Sequence, residues 1–391
     1  MDQKKGGAHR TGFHTERSLK CRGVYKGSGK PQRDAIMARA VDMAGSAAAL
    51  ENGFGDLDLR KARKQSLPGS VTIEELGYVP FPFKFLVPDF MVPCSLYVPV
   101  MTKGEDLPTF VKVLERGQFY SEAWKETLKE QRIDELYAEA HEVVELDDYF
   151  HEILEAFAED EATPAGQKAR VFYHYGEFIA RRLFGDVDDG MHVEKVGQWA
   201  EAMVRFFCTN GVNAAVIYRQ FMGNYETFTH SVQVAMMAMA FGNHLNWRPE
   251  DVVRLGAAGL YHDIGKVWVD TRILCKPASL TREEFAHIRR HPETAYERLA
   301  SMEGMSADQL AAVRQHHESM DGTGYPLGLR GSEIHPFARV LHICDCFDAI
   351  TTHRPYKKGL TPFKALKLMQ SEMRLSFDRH LLYKFVQFLG S

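Results

Sequence analysis

No run of about 18 apolar residues occurs anywhere in the 391-residue chain, so no membrane span is expected. The apolar stretch at residues 35–50 is interrupted by Arg39 and Asp42 and does not read as a secretory leader. Cysteine is sparse: Cys21, Cys94, Cys208, Cys275, Cys344 and Cys346 are scattered and form no CxxC pair. That excludes a disulfide framework or a zinc ribbon and points to a reducing cytoplasm. Positive charge is not in excess either. The net charge is −4 and the pI near 6.5, which argues against a nucleic acid polymer as partner. A small anion stays compatible, because a site that carries metal ions supplies its own positive charge. What remains is an ordinary globular composition, 45% hydrophobic and 26% charged, in a chain long enough for two or three domains.

The chain divides into three parts by pattern. The first 64 residues hold 14 Lys or Arg against 7 Asp or Glu, and residues 1–34 show no apolar period. Residues 1–66 are therefore expected to form a disordered basic tail. Residues 67–163 read as a small α/β module. β-Branched and aromatic runs at 83–87, 96–100 and 109–114 are punctuated by Pro80, Pro82, Pro88, Pro93 and Gly104. An amphipathic helix at 121–130 and a further segment at 133–137 follow, in a strongly acidic stretch that ends at the Thr163-Pro164-Ala165-Gly166 break. Residues 164–391 are expected to be an all-α domain. Helical periods cover 168–184, 193–209, 211–219, 224–245, 250–264, 281–289, 292–301, 306–317, 336–352 and 361–374, and strand signals are scarce.

Histidine is unevenly spread: 11 of the 17 lie between residues 224 and 391. Five segments there present metal-competent side chains. Glu226 and His230, four apart, share one helix face. An apolar helix ends in His262-Asp263, where Gly265 reads as its stop and Lys266 lies close by. His291 precedes Pro292, which suits a first helical turn. Then come His316-His317 with Glu318, running into Asp321-Gly322-Thr323-Gly324-Tyr325-Pro326, and last Asp345 with Asp348. The separations 230 to 262, 262 to 291, 291 to 316 and 317 to 345 are 32, 29, 25 and 28 residues. Each is about one helix pair, so a bundle could gather the segments at one end of its core. Each segment alone is weak, since a lone histidine on an apolar helix is usually a core residue. Together, imidazoles and carboxylates make a ligand set suited to iron, manganese or zinc, with room for two or three ions.

At these residues the sequence resembles a known family. His262-Asp263 with Ile264-Gly265-Lys266 is similar to the signature of the HD superfamily of metal-dependent phosphohydrolases. The segment from His316 to Pro326 resembles the HD-GYP subfamily. So do Lys276-Pro277, Leu280-Thr281, His291-Pro292, Arg339, the Asp345 and Asp348 pair, and Arg354-Pro355-Tyr356-Lys357. The resemblance covers roughly residues 220–380. It implies a cyclic di-GMP phosphodiesterase giving pGpG, with GMP to follow if the linear product is accepted. It also implies metal ligands Glu226, His230, His262, Asp263, His291, His316, His317 and Asp345, with Asp263 and Lys266 in the chemistry. Two ions would use His230, His262, Asp263, His291 and Asp345. Glu226, His316 and His317 would be left for a third. Lys266, Asp348, Arg354 and Lys357 would face the substrate. A partner protein at the Gly324-Tyr325-Pro326 loop and a homodimer are further expectations. Gln233 and His335 depart from the family pattern without removing a ligand.

Three other readings stay open: an enzyme for a mixed cyclic dinucleotide, a non-catalytic receptor for cyclic di-GMP, and a general nucleotide phosphohydrolase. A degenerate receptor should have lost ligands, and a general phosphohydrolase has no need of the His316–Pro326 block. Because residues 1–34 can bury no core, deleting them should leave turnover within about twofold. A large loss of activity in that truncation would show that the tail takes part in function.

Overall fold

The computed structural model describes residues 76–81, 86, 90–100, 107–130, 133, 136–143, 146–160, 163–185, 191–210, 214–218, 227–274, 276, 278–353 and 358–390. The tail expected at 1–66 lies outside them. So does the strand expected at 83–87, apart from the buried Leu86.

The module forms as a small antiparallel sheet beside helices. Strands β1 (Tyr78–Phe81), β3 (Leu96–Val100), β4 (Thr109–Leu114) and β6 (Leu136–Glu139) pair in the order β1-β6-β3-β4. A separate ribbon joins β2 (Phe90–Met91) to β5 (Phe119–Tyr120). Leu96, Val98, Leu114, Leu136 and Ala138 are buried, together with Trp124 and Leu128 of helix α1 (Glu122–Glu130). The segment expected from 133 proves to be β6, in register with Tyr78↔Glu139 on one side and Leu96↔Ala138 on the other. Short α2 (Ala140–Val143) and the acidic α3 (Leu146–Glu159) lead out of the sheet.

From residue 165 the described chain is helical, as its periodicity requires. Two long helices, α4 (Ala165–Gly185) and α5 (Met191–Asn210), are joined where the Trp199 indole donates to the Phe172 carbonyl at 2.9 Å. Then follow α6 (Ala214–Tyr218), α7 (Thr227–His244), α8 (Pro249–Tyr261) and a 3-10 turn (Ile264–Trp268). Short α9 (Thr271–Leu274), α10 (Arg282–Ile288), α11 (His291–Leu299) and α12 (Ala307–Gln315) come next. After a second 3-10 turn (Gly331–Glu333) the chain ends in α13 (Pro336–Thr351), α14 (Pro362–Ser371) and α15 (Arg379–Leu389). Local chemistry sets these boundaries. Pro249 opens α8 with Glu250 and Asp251 in its first turn. Capping boxes, Thr281 with Glu284 and Ser306 with Gln309, start α10 and α12. Helix α15 falls beyond the expected set, although Asp378 caps it through the His380 and Leu381 amides and it buries Leu382, Phe385 and Phe388.

The contact that positions the site is between α7 and α8. Gly259 faces Ala235 so closely that a Cβ added there would lie 2.8 Å from the Ala235 Cα. With no side chain between the two backbones, the end of α8 reaches α7, and the His262 and His230 rings stand 5.3 Å apart. Gly265 has a similar task, different from the helix stop the sequence suggested. It lies inside the 3-10 turn, and a Cβ on it would collide with the His291 carbonyl. Gly259→Ala should therefore destabilise the fold by roughly 1–3 kcal/mol through overpacking. The effect should register as a lower thermal midpoint with reduced metal content, and an unchanged midpoint would mean that α7 and α8 separate at no cost.

Candidate metal centre

Three of the histidines sit at the ends of helices, and the backbone there decides which ring nitrogen carries the proton. An α-helix leaves its last carbonyls without partners. His262 directly follows α8, and its Nδ1 donates to the Gly259 carbonyl at 2.6 Å. His316 directly follows α12 and donates to Val313 at 2.7 Å. His291, just past α10, donates to Ile288 at 2.8 Å. Each Nδ1–H is thereby used, and each Nε2 is left as a bare lone pair. His230 reaches the same state by another route. It lies within α7, and its Nδ1 donates to the Asp348 carboxylate of α13 at 2.7 Å.

The freed atoms converge. Asp263, His291, His316 and His317 form one group and His230, His262 and Asp345 another, each with its ligand atoms within 4.8 Å of one another. Asp263 lies between them. Its Oδ1 is 3.2 Å from His291 Nε2 and 4.0 Å from His316 Nε2. Its Oδ2 is 3.5 Å from His262 Nε2 and 3.7 Å from His230 Nε2. His230 Nε2 is 3.1 Å from Asp345 Oδ1, and Asp345 Oδ2 is 3.7 Å from His317 Nδ1. The grouping differs from the expected one, since His316 and His317 share a centre with Asp263 and His291 instead of standing apart for a third ion.

Two observations show that this donor set fits divalent metal ions. His262 Nε2 and Asp263 Oδ1 are buried without a hydrogen-bond partner, a costly state for polar atoms. Furthermore, His291 Nε2 and His316 Nε2 approach to 3.2 Å although both rings already spend their proton on a carbonyl. Two lone pairs that close repel unless a cation lies between them. The electrostatics agree. Burial and the neighbouring His317, His262 and His291 rings hold His316 well below the usual imidazole range, so it stays neutral. Burial likewise lowers His317, against the pull of Asp345. Burial pushes the Asp263 carboxyl upward, but Lys266 and the His262 and His291 rings outweigh it and hold it well below the usual range. Asp345 is likewise lowered, by His230 and His317 against burial. Neutral imidazoles with ionised carboxylates are the ligating forms.

The other expected residues fall in several places. Lys266, 20% exposed, donates to Asp263 Oδ2 at 2.5 Å on the rim of the centre. Asp348 was expected at the substrate. It is 1% exposed and accepts from His230, with Thr352 donating to its other oxygen at 3.2 Å. Glu226, Arg354 and Lys357 lie outside the described residues. Gln233 donates to the Tyr173 hydroxyl of α4 at 3.2 Å. His335 caps α13 through the Phe337 amide and faces Asp308 at 3.3 Å. Lys276 pairs with Glu284 of the α10 capping box at 2.7 Å, and Arg339 with Asp378 at 3.2 Å.

Two supporting residues had no role assigned from sequence. Glu318, buried, accepts from the amides of Leu327, Gly328 and Leu329 at 2.6, 3.2 and 2.9 Å, which folds the Gly324-Tyr325-Pro326 loop back over the site. The Tyr325 amide donates to the His317 carbonyl at 3.1 Å, and the two rings lie 4.7 Å apart. His342 donates to the His316 carbonyl at 2.9 Å and accepts from Ser376 at 2.8 Å. A carboxylate directly after the histidine pair was visible in the sequence, but its amide partners depend on how the loop returns.

A family model described as an HD domain matches residues 216–381. The cyclic di-GMP phosphodiesterase PA4108 of Pseudomonas aeruginosa is 42% identical over 165 residues, 42% of this chain and 39% of that protein. The 3'3'-cGAMP-specific phosphodiesterase 3 of Vibrio cholerae is 28% identical over 281 residues, 72% of this chain and 57% of that one. The chain thus spans about two fifths to three fifths of the length of these relatives. Among solved structures, Bd1817, an HDG"Y"P protein from Bdellovibrio bacteriovorus, shares the fold with a TM-score of 0.63. That match is 19% identical and covers 80% of this chain and all of the other. Residues 216–381 are thus similar to an HD domain, and the His316–Pro326 segment and the order of the histidines and carboxylates resemble the HD-GYP type.

If Asp348 holds His230 in its ligating tautomer, Asp348→Ala should weaken metal affinity by about 10–100-fold, the usual cost of losing such a support. Titration of metal into stripped protein measures this, and an affinity equal to the wild type would remove Asp348 from the account.

Proposed function

We propose that the protein is a divalent-metal-dependent phosphodiesterase that opens cyclic di-GMP to linear pGpG, and on to GMP where the linear product is accepted, in bacterial second-messenger signalling. The observation that carries this reading is the pair of neighbouring ligand groups joined by Asp263, with a lysine ammonium on their rim. Bound ions in such a pair lower the pKa of water towards neutrality and neutralise phosphate oxygens. The protein contributes the rest. His230, His262, His291, His316 and His317 hold the ions as neutral imidazoles, and Asp263 and Asp345 supply the anionic oxygens. In this reading Lys266, which donates to Asp263, turns its Nζ to a non-bridging oxygen of the scissile phosphate as charge grows there. Arg354 and Lys357 take the remaining phosphate oxygens in this proposal.

Mixed imidazole and carboxylate ligation favours iron or manganese. The described residues support two ions, and a third would need Glu226. The likeness to 3'3'-cGAMP-specific enzymes supports a second reading, in which the substrate is a mixed cyclic dinucleotide. A cytoplasmic location follows from either substrate.

One set of variants tests the proposal. His262→Ala and Asp263→Ala should abolish cyclic di-GMP hydrolysis while the helical circular dichroism stays largely intact. Lys266→Ala should lower turnover by about 10²–10³ with metal content unchanged. Glu226→Ala should lower bound metal by one ion if a third is held. Near-normal turnover in either ligand variant would refute the site, and loss of metal in Lys266→Ala would make the lysine part of the metal scaffold.

A further inference from the structure

One rim of the site has no role in the chemistry above: the end of α10 where it meets the Gly324-Tyr325-Pro326 loop. Arg289, the residue that closes α10, lays its guanidinium 4.6 Å from the centre of the Tyr325 ring. The Phe285 ring of α10 is 6.0 Å from the same guanidinium. Tyr325 itself packs against His317, with ring centres 4.7 Å apart, and is bonded to the His317 carbonyl. A single aromatic ring therefore separates the Arg289 cation from a metal ligand. Arg289 is exposed, and among the described residues no carboxylate pairs with it. Nearby arginines differ, since Arg314 is held by Glu293 and Arg339 by Asp378. Phe285 is 48% exposed and Leu327, on the loop, 45%. The rim thus offers a positioned guanidinium beside uncovered apolar surface.

We propose that Arg289 reads a guanine base of the cyclic dinucleotide and so sets the preference of the site for guanine over adenine; this rests on the phosphodiesterase reading given above. With Tyr325 against one face, the guanidinium keeps its N–H edge for a ligand. Two of those donors match the O6 and N7 acceptors of guanine, the commonest specific arginine contact to a base. Adenine presents an amino donor where guanine has O6, and a guanidinium has nothing to accept it with. A phosphate also suits an arginine fork. It gains nothing, however, from an exposed phenyl ring, whereas a base can stack on Phe285.

The test compares three ligands, cyclic di-GMP, 3'3'-cGAMP and cyclic di-AMP, on the metal-loaded full chain, by KM and kcat and by calorimetric affinity. Arg289→Ala should reduce the preference for cyclic di-GMP over cyclic di-AMP at least about tenfold, mainly in KM and Kd, with metal content unchanged. Arg289→Lys, which keeps the charge but loses the fork, should lose the same preference while retaining more overall affinity. Equal weakening for all three ligands would make Arg289 a phosphate contact and overturn the proposal, as would an unchanged preference in both variants. Wild-type protein that binds these ligands with metal present yet hydrolyses none would sink the phosphodiesterase reading alone, because the affinity comparison still decides the base-reading role.

Discussion

The site depends on a hydrogen bond that three helices make in the same way. Each ends with a histidine close behind it, and the imidazole Nδ1–H caps a carbonyl that the helix cannot satisfy itself. Such a bond contributes only about 0.5–1.5 kcal/mol to stability. Its larger consequence is the choice of tautomer, since a proton held at Nδ1 cannot also sit at Nε2. Three helix ends directed at one point then bring three lone pairs together in a buried space. Without a cation that arrangement is unfavourable, because each unsatisfied buried polar atom costs about 1–3 kcal/mol. Metal binding here would therefore be coupled to the folding of this end of the bundle.

Packing makes that convergence possible. The helix ends meet only because α7 and α8 lie backbone to backbone at Gly259 and because the 3-10 turn rests on the start of α11 at Gly265. Helix α13 closes the arrangement from the side. From one helix it brings Asp345 to His230 Nε2, Asp348 to His230 Nδ1 and His342 to the carbonyl of His316. Their spacings of three residues place them on one face. Helix α4, which precedes the residues matched by the HD-domain model, also touches the site's foundations through Tyr173 and Gln233.

Much of this was legible in the sequence because it is local. The strands at 96–100 and 109–114, the module's helix and the succession of helices after residue 165 follow from periodicity and capping residues. The ligating residue types and their order were visible as well, since metal chemistry restricts them to imidazoles and carboxylates. What could not be read depends on contacts between distant parts of the chain. Asp348 and His230 are 118 residues apart, so nothing local separated a substrate contact from an orienting one. The division of the ligands also differs from the expected one, because the helix crossing, and not the spacing, puts His316 beside His291. Helix α15 carries its own local signals, an N-cap at Asp378 and an apolar face of Leu382, Phe385 and Phe388. Gly265 illustrates an ambiguity of glycine, which marks the end of a helix and a close backbone approach equally well.

The central claim is that the fixed tautomers and Asp263 build two adjacent centres for divalent ions. Elemental analysis of anaerobically purified protein, joined with X-ray absorption at the edge of whichever metal is found, measures this directly. At least two ions per chain are expected, each in a shell of mixed nitrogen and oxygen donors, with a metal–metal scattering contribution from the shared carboxylate. Fewer than one ion per chain after full metal loading, or a shell of oxygen alone, would contradict it.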